Sequence, residues 1–315
     1  MIGFRSFRND DPPRLAELWR AAELGPNAVQ AMSPALLEAA VFSKPSFERA
    51  GLVVACEEDR IVGFAHAAFG PREDRAAIDT RCGTTALVVV PPHGDRIAIG
   101  AGLLERSEHY LRGRGAEQLW GGGTPESCGF YRGLYGGSDL PGVLDSTPAM
   151  QAVFRAAGYA ESDRIDVMRR SLVAYRPPVN RVHLAIRRST VVHAVDEPCR
   201  RNWWEAATTT GLSLRRYELR TRDEKLLGTA TYWDMQPLAS AWGVNAAGLL
   251  DVDVVEPRRR QGFASYLLGE SLHDLAEEGV SVVETHVPRS NATATCMFDK
   301  LGFQRTDSGI LFARR

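Results

Sequence analysis

Apolar and polar positions fall into two successive runs of one order, strand, turn, helix. In the later run Leu249 to Val255 is an apolar strand in which Asp251 and Asp253 alternate with Val252 and Val254. Glu256-Pro257-Arg258-Arg259-Arg260 is a basic turn, and Gln261 to Glu278 has the apolar period of a helix. In the earlier run Leu87-Val88-Val89-Val90 leads through Pro91 and Pro92, then Gly100-Ala101-Gly102, into a helix predicted over Ile97 to Arg112.

The flanking elements repeat as well. In the first half Phe4 to Arg8 alternates as a strand, and Asp10 or Asp11 caps a helix with Pro12 and Pro13 in its first turn. Ser33-Pro34 opens a second helix, Gly51–Cys56 and Ile61–Phe69 form a hairpin, Gln118 to Trp120 is a strand, and a helix near Thr147 ends at Gly158. In the second half His183 to Arg187 is predicted as a strand and Asp196 to Thr209 as a helix. A hairpin follows over Leu212–Arg220 and Leu226–Trp233, then, after the central strand and helix, a strand over Val280–Val287, a helix over Ala292–Leu301 and a closing strand over Ile310–Ala313. The proline-rich stretch 174–181 reads as a linker, because proline stops both helix and ladder. The expected domains are 1–173 and 182–315. The first differs by a loop over 124–146, containing Tyr131 and Tyr135, where the second has only a few residues; structureless loops of such length are usually functional.

Composition narrows the class. The chain has 315 residues, enough for two domains of about 150 residues each. A formal net charge of −1 excludes nucleic-acid binding by bulk phosphate neutralisation. No apolar run approaches the roughly 20 residues of a membrane span, so a cytoplasmic protein is expected, monomeric or a homodimer. The five cysteines are odd in number and widely spaced, which reads as free thiols, and the seven histidines form no metal-ligand motif, so no metal is expected.

The basic turn carries the chemistry. A strand-to-helix turn points several backbone N–H groups at one spot, and the positive end of the helix favours an anion there. Arg258, Arg259 and Arg260 at a helix N-terminus oppose the dipole unless an anion offsets them; the plain alternative is a solvated basic cluster. Gly100 and Gly102 read equally as a structural pair and as a ligand turn. Asp251 and Asp253 leave one strand face, where aspartate is disfavoured; they are candidates to accept a proton, Asp251 ahead of Asp253, against a salt bridge or a polar sheet face. Neither turn completes G-x-G-x-x-G, which argues against dinucleotide binding by a Rossmann domain.

With these residues in place, the chain resembles a tandem pair of GNAT (Gcn5-related) N-acetyltransferase domains over nearly all its length. Arg259-Arg260-Gln261-Gly262-Phe263-Ala264 fits the family signature, and Asn291, Phe298 and Gly302-Phe303 stand at the family's spacing. The first half departs from it: Ile97 stands where Arg or Gln is usual, with Arg96 beside it, and Thr147 stands where Asn291 stands in the second half. The resemblance implies α/β domains, each a mixed sheet splayed at its central strand and flanked by helices. It implies acetyl-CoA as co-substrate, with Arg259 to Ala264 on the pyrophosphate and the Val255 backbone on pantetheine. It also implies direct transfer of the acetyl group to a primary amine in a ternary complex, with a small-molecule acceptor favoured and no nucleic acid or membrane partner. In the first half the corresponding positions are Val90 and Ile97, Gly100, Ala101 and Gly102.

The family's frequent thiolate-protonating tyrosine is Phe298 here and Phe154 in the first half, and neither donates a proton. The expectations are therefore unassisted thiolate departure, a donor from elsewhere such as Tyr266, Tyr232, Tyr131 or Tyr135, or a domain that binds without catalysing. Both phenylalanines also suit core packing. A non-enzymatic acyl-CoA-binding regulator, or catalysis confined to the first half, stands as the alternative to a second-half transferase.

Overall fold

A computed structural model describes residues 2–314. The chain forms two compact units that interleave along the sequence. Unit 1 takes the chain up to Asp166, Arg200–Gly211 and the stretch from Asp307 onward; unit 2 takes Val167–Cys199 and Leu212–Thr306. The proline-rich 174–181 stretch therefore lies within unit 2, and the compact units do not follow the single cut expected there.

In unit 1, β1 (Ile2–Ser6), β2 (Leu52–Glu57), β3 (Arg60–Pro71) and β4 (Ile78–Val89) pair antiparallel in that order, and β4 pairs parallel with β5 (Gln118–Gly121). The last strand comes from the end of the chain. β13 (Gln304–Arg314) sets Phe312 opposite Gly121 on β5, and β6 (Val143–Leu144) pairs with β13 at Gly309 and Ile310. α1 (Pro12–Ala21) begins after Asp11 as expected, but the Asp11 carboxylate caps nothing in it. It is buried, held by both Arg5 guanidinium nitrogens at 2.7 Å and by the Arg8 N–H. Burial pushes its carboxyl up, and these hydrogen bonds outweigh that and hold it below the ordinary range. α2 (Pro34–Leu37) starts at Ser33, whose Oγ accepts from the Leu36 N–H, as the sequence suggests. α3 (Arg96–Gly113) covers β3 and β4, and α4 (Pro148–Ala156) follows β6.

Unit 2 orders its strands β8 (Thr190–Asp196), β9 (Leu214–Thr221), β10 (Leu226–Asp234), β11 (Ala246–Val254) and β12 (Val282–Pro288). The next strand is β7 (Tyr159–Ser171), a strand the sequence reading missed, which begins in unit 1 and enters unit 2 at Val167. The strand order of each unit is thus completed by a strand from the other half of the sequence. One core fills unit 2: Leu267, Leu268 and Leu272 of α8 (Phe263–Glu277) pack with Tyr217, Leu249 and Val283, each burial stabilising by about 1.5–3 kcal/mol.

Two predicted elements change type. Residues His183 to Arg187 lie in a helix, α5 (Arg181–Ser189), and the strand is the next segment, β8. Asn180 opens α5 by accepting the His183 N–H at 2.8 Å, and His183 and Ile186 face inward three residues apart, a helical spacing taken for strand alternation. The helix expected from Asp196 shortens to α6 (Trp203–Thr209), capped by Asn202. α6 belongs to unit 1, where Trp204 Nε1 donates to the Pro125 carbonyl and the Lys44 ammonium donates to the Thr210 carbonyl at the helix end. α7 (Gln236–Trp242) was not foreseen, whereas α9 (Ala292–Lys300) was.

If β13 completes unit 1, loss of its anchor should unfold the half of the molecule encoded first. Phe312 is fully buried and stacks on Phe154 of α4 with ring centres 5.3 Å apart. Phe312→Ala is expected to destabilise unit 1 by about 3–5 kcal/mol. Hydrogen exchange should show this as lost protection in β4 and β5, with β9 and β10 retained.

Candidate active site

β11 pairs parallel with β12 only from Ala246 opposite Val282 to Leu249 opposite Thr285. Beyond that rung β11 runs on to Val254 and β12 to Pro288 with no pairing between them, so the sheet opens. The cause lies on the other edge of β11. Against β10 the register moves from Leu249 opposite Tyr232 to Asp251 opposite Thr231, which leaves Leu250 as an extra residue, and a bulge of this kind bends and twists its strand.

The open end faces the start of α8. Glu256–Arg258 form one tight helical turn, and Gly262 takes the left-handed conformation at φ 86 as the N-cap. A Cβ at Gly262 would meet Val182 of α5 at 3.0 Å, so glycine suits both the backbone and the space. No side chain caps α8, and its first ladder bond runs from the Tyr266 N–H to the Gly262 carbonyl. The N–H groups of Phe263, Ala264 and Ser265 precede that bond and have no partner in the helix ladder, an arrangement that favours an anion. The side chains around the turn fan apart. Arg259 Nε donates to the Val254 carbonyl at 2.8 Å and pairs with Asp253 at 3.2 Å; Arg260 donates to Thr293 Oγ1 at 2.7 Å; Gln261 donates to the Pro257 carbonyl; and Arg258 lies over the Phe263 ring.

Several predicted residues take places that differ from the expectation. The Val255 backbone is committed, its N–H to the Leu227 carbonyl and its carbonyl to the Arg258 N–H. Strand alternation turns the backbone groups of Val252 and Val254 toward the gap in its place. Asp253 is exposed and ion-paired with Arg259, which is the salt-bridge alternative for this residue. Asp251 is half-buried and accepts from Thr231 Oγ1 at 3.2 Å, in line with Arg216, whose Nε also reaches Thr231. Asn291 caps α9 by accepting the Ala294 N–H, and Phe298 is buried edge-on against Phe303. Tyr232 is buried under α8 with its hydroxyl on Ser271, which takes it out of the list of donors; Tyr266 is buried too, its ring edge-on to His183.

Unit 1 has the corresponding helix but not the corresponding turn. α3 begins at Arg96 after Asp95, and its ladder starts with the Ile99 N–H on the Asp95 carbonyl, so Gly100, Ala101 and Gly102 lie inside the helix with no N–H to offer an anion. The two glycines are contact points. A Cβ at Gly100 would meet Val153 at 2.5 Å, and one at Gly102 would meet the Phe4 ring at 2.5 Å. Ile97 is exposed on the first turn, and Val90 is buried, lining a cavity of about 300 Å³ with Arg96, Thr147 and Val153.

The 124–146 loop is not a surface flap. From Cys128 to Leu144 almost every residue is buried. Tyr131 at 1% exposure bonds His66 Nδ1 at 2.8 Å, and Trp19 stacks on its ring. Tyr135 accepts the Leu144 N–H and bonds Thr147 Oγ1, both at 3.0 Å. Burial pushes the Tyr135 hydroxyl up to about 12 and the His66 imidazole down to about 3, so both stay neutral. The two tyrosines hold the loop into unit 1 and present no hydroxyl to a cleft.

Residues 187–303 match the Acetyltransferase (GNAT) family. The chain carries a GNAT-family segment over those residues. As a tandem GNAT fold it is similar across its length to the GCN5-related N-acetyltransferase of Sphaerobacter thermophilus, at 15% identity and a TM-score of 0.64 over 99% of this chain and 95% of that one. It is similar also to a tandem GNAT protein of the clavulanic acid biosynthesis pathway, at 16% identity and a TM-score of 0.65 over 99% of this chain and 98% of that one. A third likeness, at 15% identity and a TM-score of 0.69, is to the glucosamine N-acetyltransferase region of a fungal multi-domain GH3 β-N-acetylglucosaminidase, covering 99% of this chain and 38% of that one. Comparison with curated proteins returns no match.

The GNAT fold supports acyl transfer. No helix among the described residues is long and apolar enough to cross a membrane, and no group of three or more His, Cys, Asp or Glu among them is placed to hold a metal ion. Sequence reasoning passed over Glu284 and His286 of β12, which share the sheet face of Asp251 at the opening, and Arg169, whose Nε pairs with Glu284 at 2.7 Å. The available signal was Val283-Glu284-Thr285-His286-Val287, with charge and imidazole on alternate positions of an otherwise apolar strand.

Tyr135→Phe tests the structural assignment of the buried loop. It strands the Leu144 N–H and should cost about 1–3 kcal/mol of stability, read by denaturant unfolding. Acyl-transfer rates of the folded variant should stay at the level of the unsubstituted protein.

Proposed function

We propose that unit 2 binds acetyl-CoA and that the chain transfers its acetyl group to the primary amine of a small molecule. The observation that carries this reading is the coincidence, in one unit, of a sheet parted beyond Leu249 and Thr285 with an uncapped helix start at Gly262 facing the gap. The residues present suit that ligand. Phe263, Ala264 and Ser265 offer N–H groups to a diphosphate, Arg259 and Arg260 supply positive charge beside it, and the Val252 backbone and the Val254 N–H offer a strand edge to an extended amide chain, the Val254 carbonyl being taken by Arg259. When bound, acetyl-CoA supplies the activated acyl group. The protein has to bring an uncharged amine to the acyl carbon and to manage the proton that leaves nitrogen. Asp251, on the acceptor side of the opening, attracts the ammonium form of the amine; Asp253, tied to Arg259, serves the turn instead.

The packed glycines of α3 and the buried 124–146 loop favour unit 2 over unit 1 as the cofactor site. A second reading, an acyl-CoA-responsive regulator without turnover, draws on the two phenylalanines, since Phe298 and Phe154 are buried core rings with no proton to donate. Release of free thiol from acetyl-CoA in the presence of a panel of primary amines separates the two, because a regulator binds without releasing it.

Calorimetric titration of acetyl-CoA should give one site per chain. Gly262→Glu places a carboxylate at the helix start and is expected to weaken binding by more than about 10-fold, equivalent to about 1.4 kcal/mol. Arg260→Glu changes only an exposed side chain, and should weaken binding and flatten its salt dependence. Unaltered affinity in both variants, or two equal sites per chain, would show that the diphosphate is held elsewhere.

A further inference from the structure

Both ring nitrogens of His286 are buried and make no hydrogen bond. Buried polar atoms are nearly always paired, so an imidazole with neither nitrogen engaged asks for a reason. Its place in the fold supplies one. Thr285 makes the last rung between β12 and β11, and His286 is the first residue past it, where the gap closes. Val283 and Val287 point into the core under α8, so the alternate residues Glu284 and His286 lie on the opposite face. Asp251 lies on that same face: it bonds Thr231, whereas the neighbouring Tyr232 turns to Ser271 of α8.

An arm anchored by its diphosphate at the Gly262 turn and laid along the gap ends where the strands rejoin, beside His286. Behind the imidazole stands Glu284, fully buried, with one oxygen on Arg169 Nε at 2.7 Å and the other 3.7 Å from His286 Nε2. Arg169 is fixed in turn with its guanidinium 3.9 Å over the Trp242 ring. The charged groups on this face include Glu284 from the histidine's own strand, Arg169 from β7, Asp251 and Asp253 from β11, the latter paired with Arg259, and Arg216 from β9, which bonds Thr231 beside Asp251. The buried carboxylate, balanced by Arg169, can steady an imidazolium without driving the site to a net negative charge. Phe298, in the core, leaves the departing sulfur without an aromatic hydroxyl.

We propose that His286 is the proton carrier of the transfer and Glu284 its positioning residue. The inference rests on the reading that unit 2 holds acetyl-CoA. The acceptor enters as an ammonium ion and loses its first proton to solvent. As the amine nitrogen bonds the acyl carbon and the carbon–sulfur bond breaks, His286 takes the second proton from nitrogen and delivers it to the thiolate sulfur. The sum is one amide and one free thiol, with the imidazole returned neutral. One group then does both the work of a base and the work the missing tyrosine would do.

The test uses the full chain with His286→Gln and Glu284→Gln, read by pH–rate profiles, by calorimetry with acetyl-CoA, and by imidazole NMR of the unsubstituted protein with and without CoA. General acid–base groups are worth roughly 10²–10⁴-fold, so His286→Gln should lower kcat by about 100-fold or more and remove the acid limb of the profile. Acetyl-CoA affinity should stay within about 3-fold. Glu284→Gln should move the acid limb, an effect a merely structural role would not produce. Addition of CoA should shift the His286 ring resonances. A kcat within about 3-fold of the unsubstituted protein for His286→Gln, or ring resonances unmoved while CoA binds, overturns the inference and leaves the cofactor site of unit 2 standing. Failure of the unsubstituted protein to bind acetyl-CoA at all overturns both.

Discussion

The site depends on one departure from regular pairing. An extra residue, Leu250, bends β11 away from β12, and backbone groups that a closed ladder would satisfy are left facing a gap. The opening also selects which side chains matter. Residues on the α8 face of β11 and β12 are core, whereas Asp251, Glu284 and His286 on the other face stand beside the opening. α8 is set with its uncapped start toward the same gap, so an anion at one end and an extended chain along the other fit a single ligand.

The two halves show how one layout reaches two outcomes. In unit 2 the glycine is at the N-cap, in a left-handed conformation, where it shapes the turn and clears Val182. In unit 1 the glycines sit one and two turns farther on, and their lack of a side chain is spent on close approach to Val153 and Phe4. The strand departure in unit 1 is bridged at its start, short of the cavity lined by Val88, Val90 and Thr147. Gly122 and Gly123 extend the β4 ladder through the Thr85 and Ala86 carbonyls, and Gly142 closes on the Gly123 carbonyl. Residues 128–144 then fill the interior, pinned by Tyr131 on His66 and by Tyr135 on Leu144 and Thr147. The first half keeps the architecture and has turned its loop into packing.

Much of this was legible in sequence, because apolar period and turn residues act locally. The hairpins β2–β3 and β9–β10, the central strand β11, and helices α3, α8 and α9 all lie close to where the patterning puts them, whereas of β4 the patterning gave only the last residues. The basic Gly262 turn was legible for the same reason. What failed was long-range or ambiguous. Five residues from His183 fit a strand and a helix equally on apolar pattern, and the arbiter was the cap at Asn180. Tyr131 and Tyr135 in a long glycine-rich stretch read as candidate donors on a functional loop, since nothing local shows that Trp19 and His66 will enclose Tyr131. His286 escaped notice because its meaning comes from where the rungs between β11 and β12 stop.

The exchange of strands is likewise invisible to local patterning, and it alters what a domain means in this chain. Sequence repetition divides the chain near the proline-rich 174–181 stretch, and each half on its own carries the order expected of one GNAT domain. Contact divides it otherwise: β5 of unit 1 is covered by β13, and β12 of unit 2 by the part of β7 that follows Asp166. A half cut at the proline-rich stretch would keep its repeat and lose the strand that closes its sheet, leaving an open edge with Gly121 and Trp120 unpaired in the first half. Arg169, which holds Glu284 beside the proposed proton carrier, lies on β7 and would leave with the first half. The proposed chemistry of unit 2 therefore draws a residue from the first half of the sequence, and this gives the retained first half a role in the proposed site beyond support.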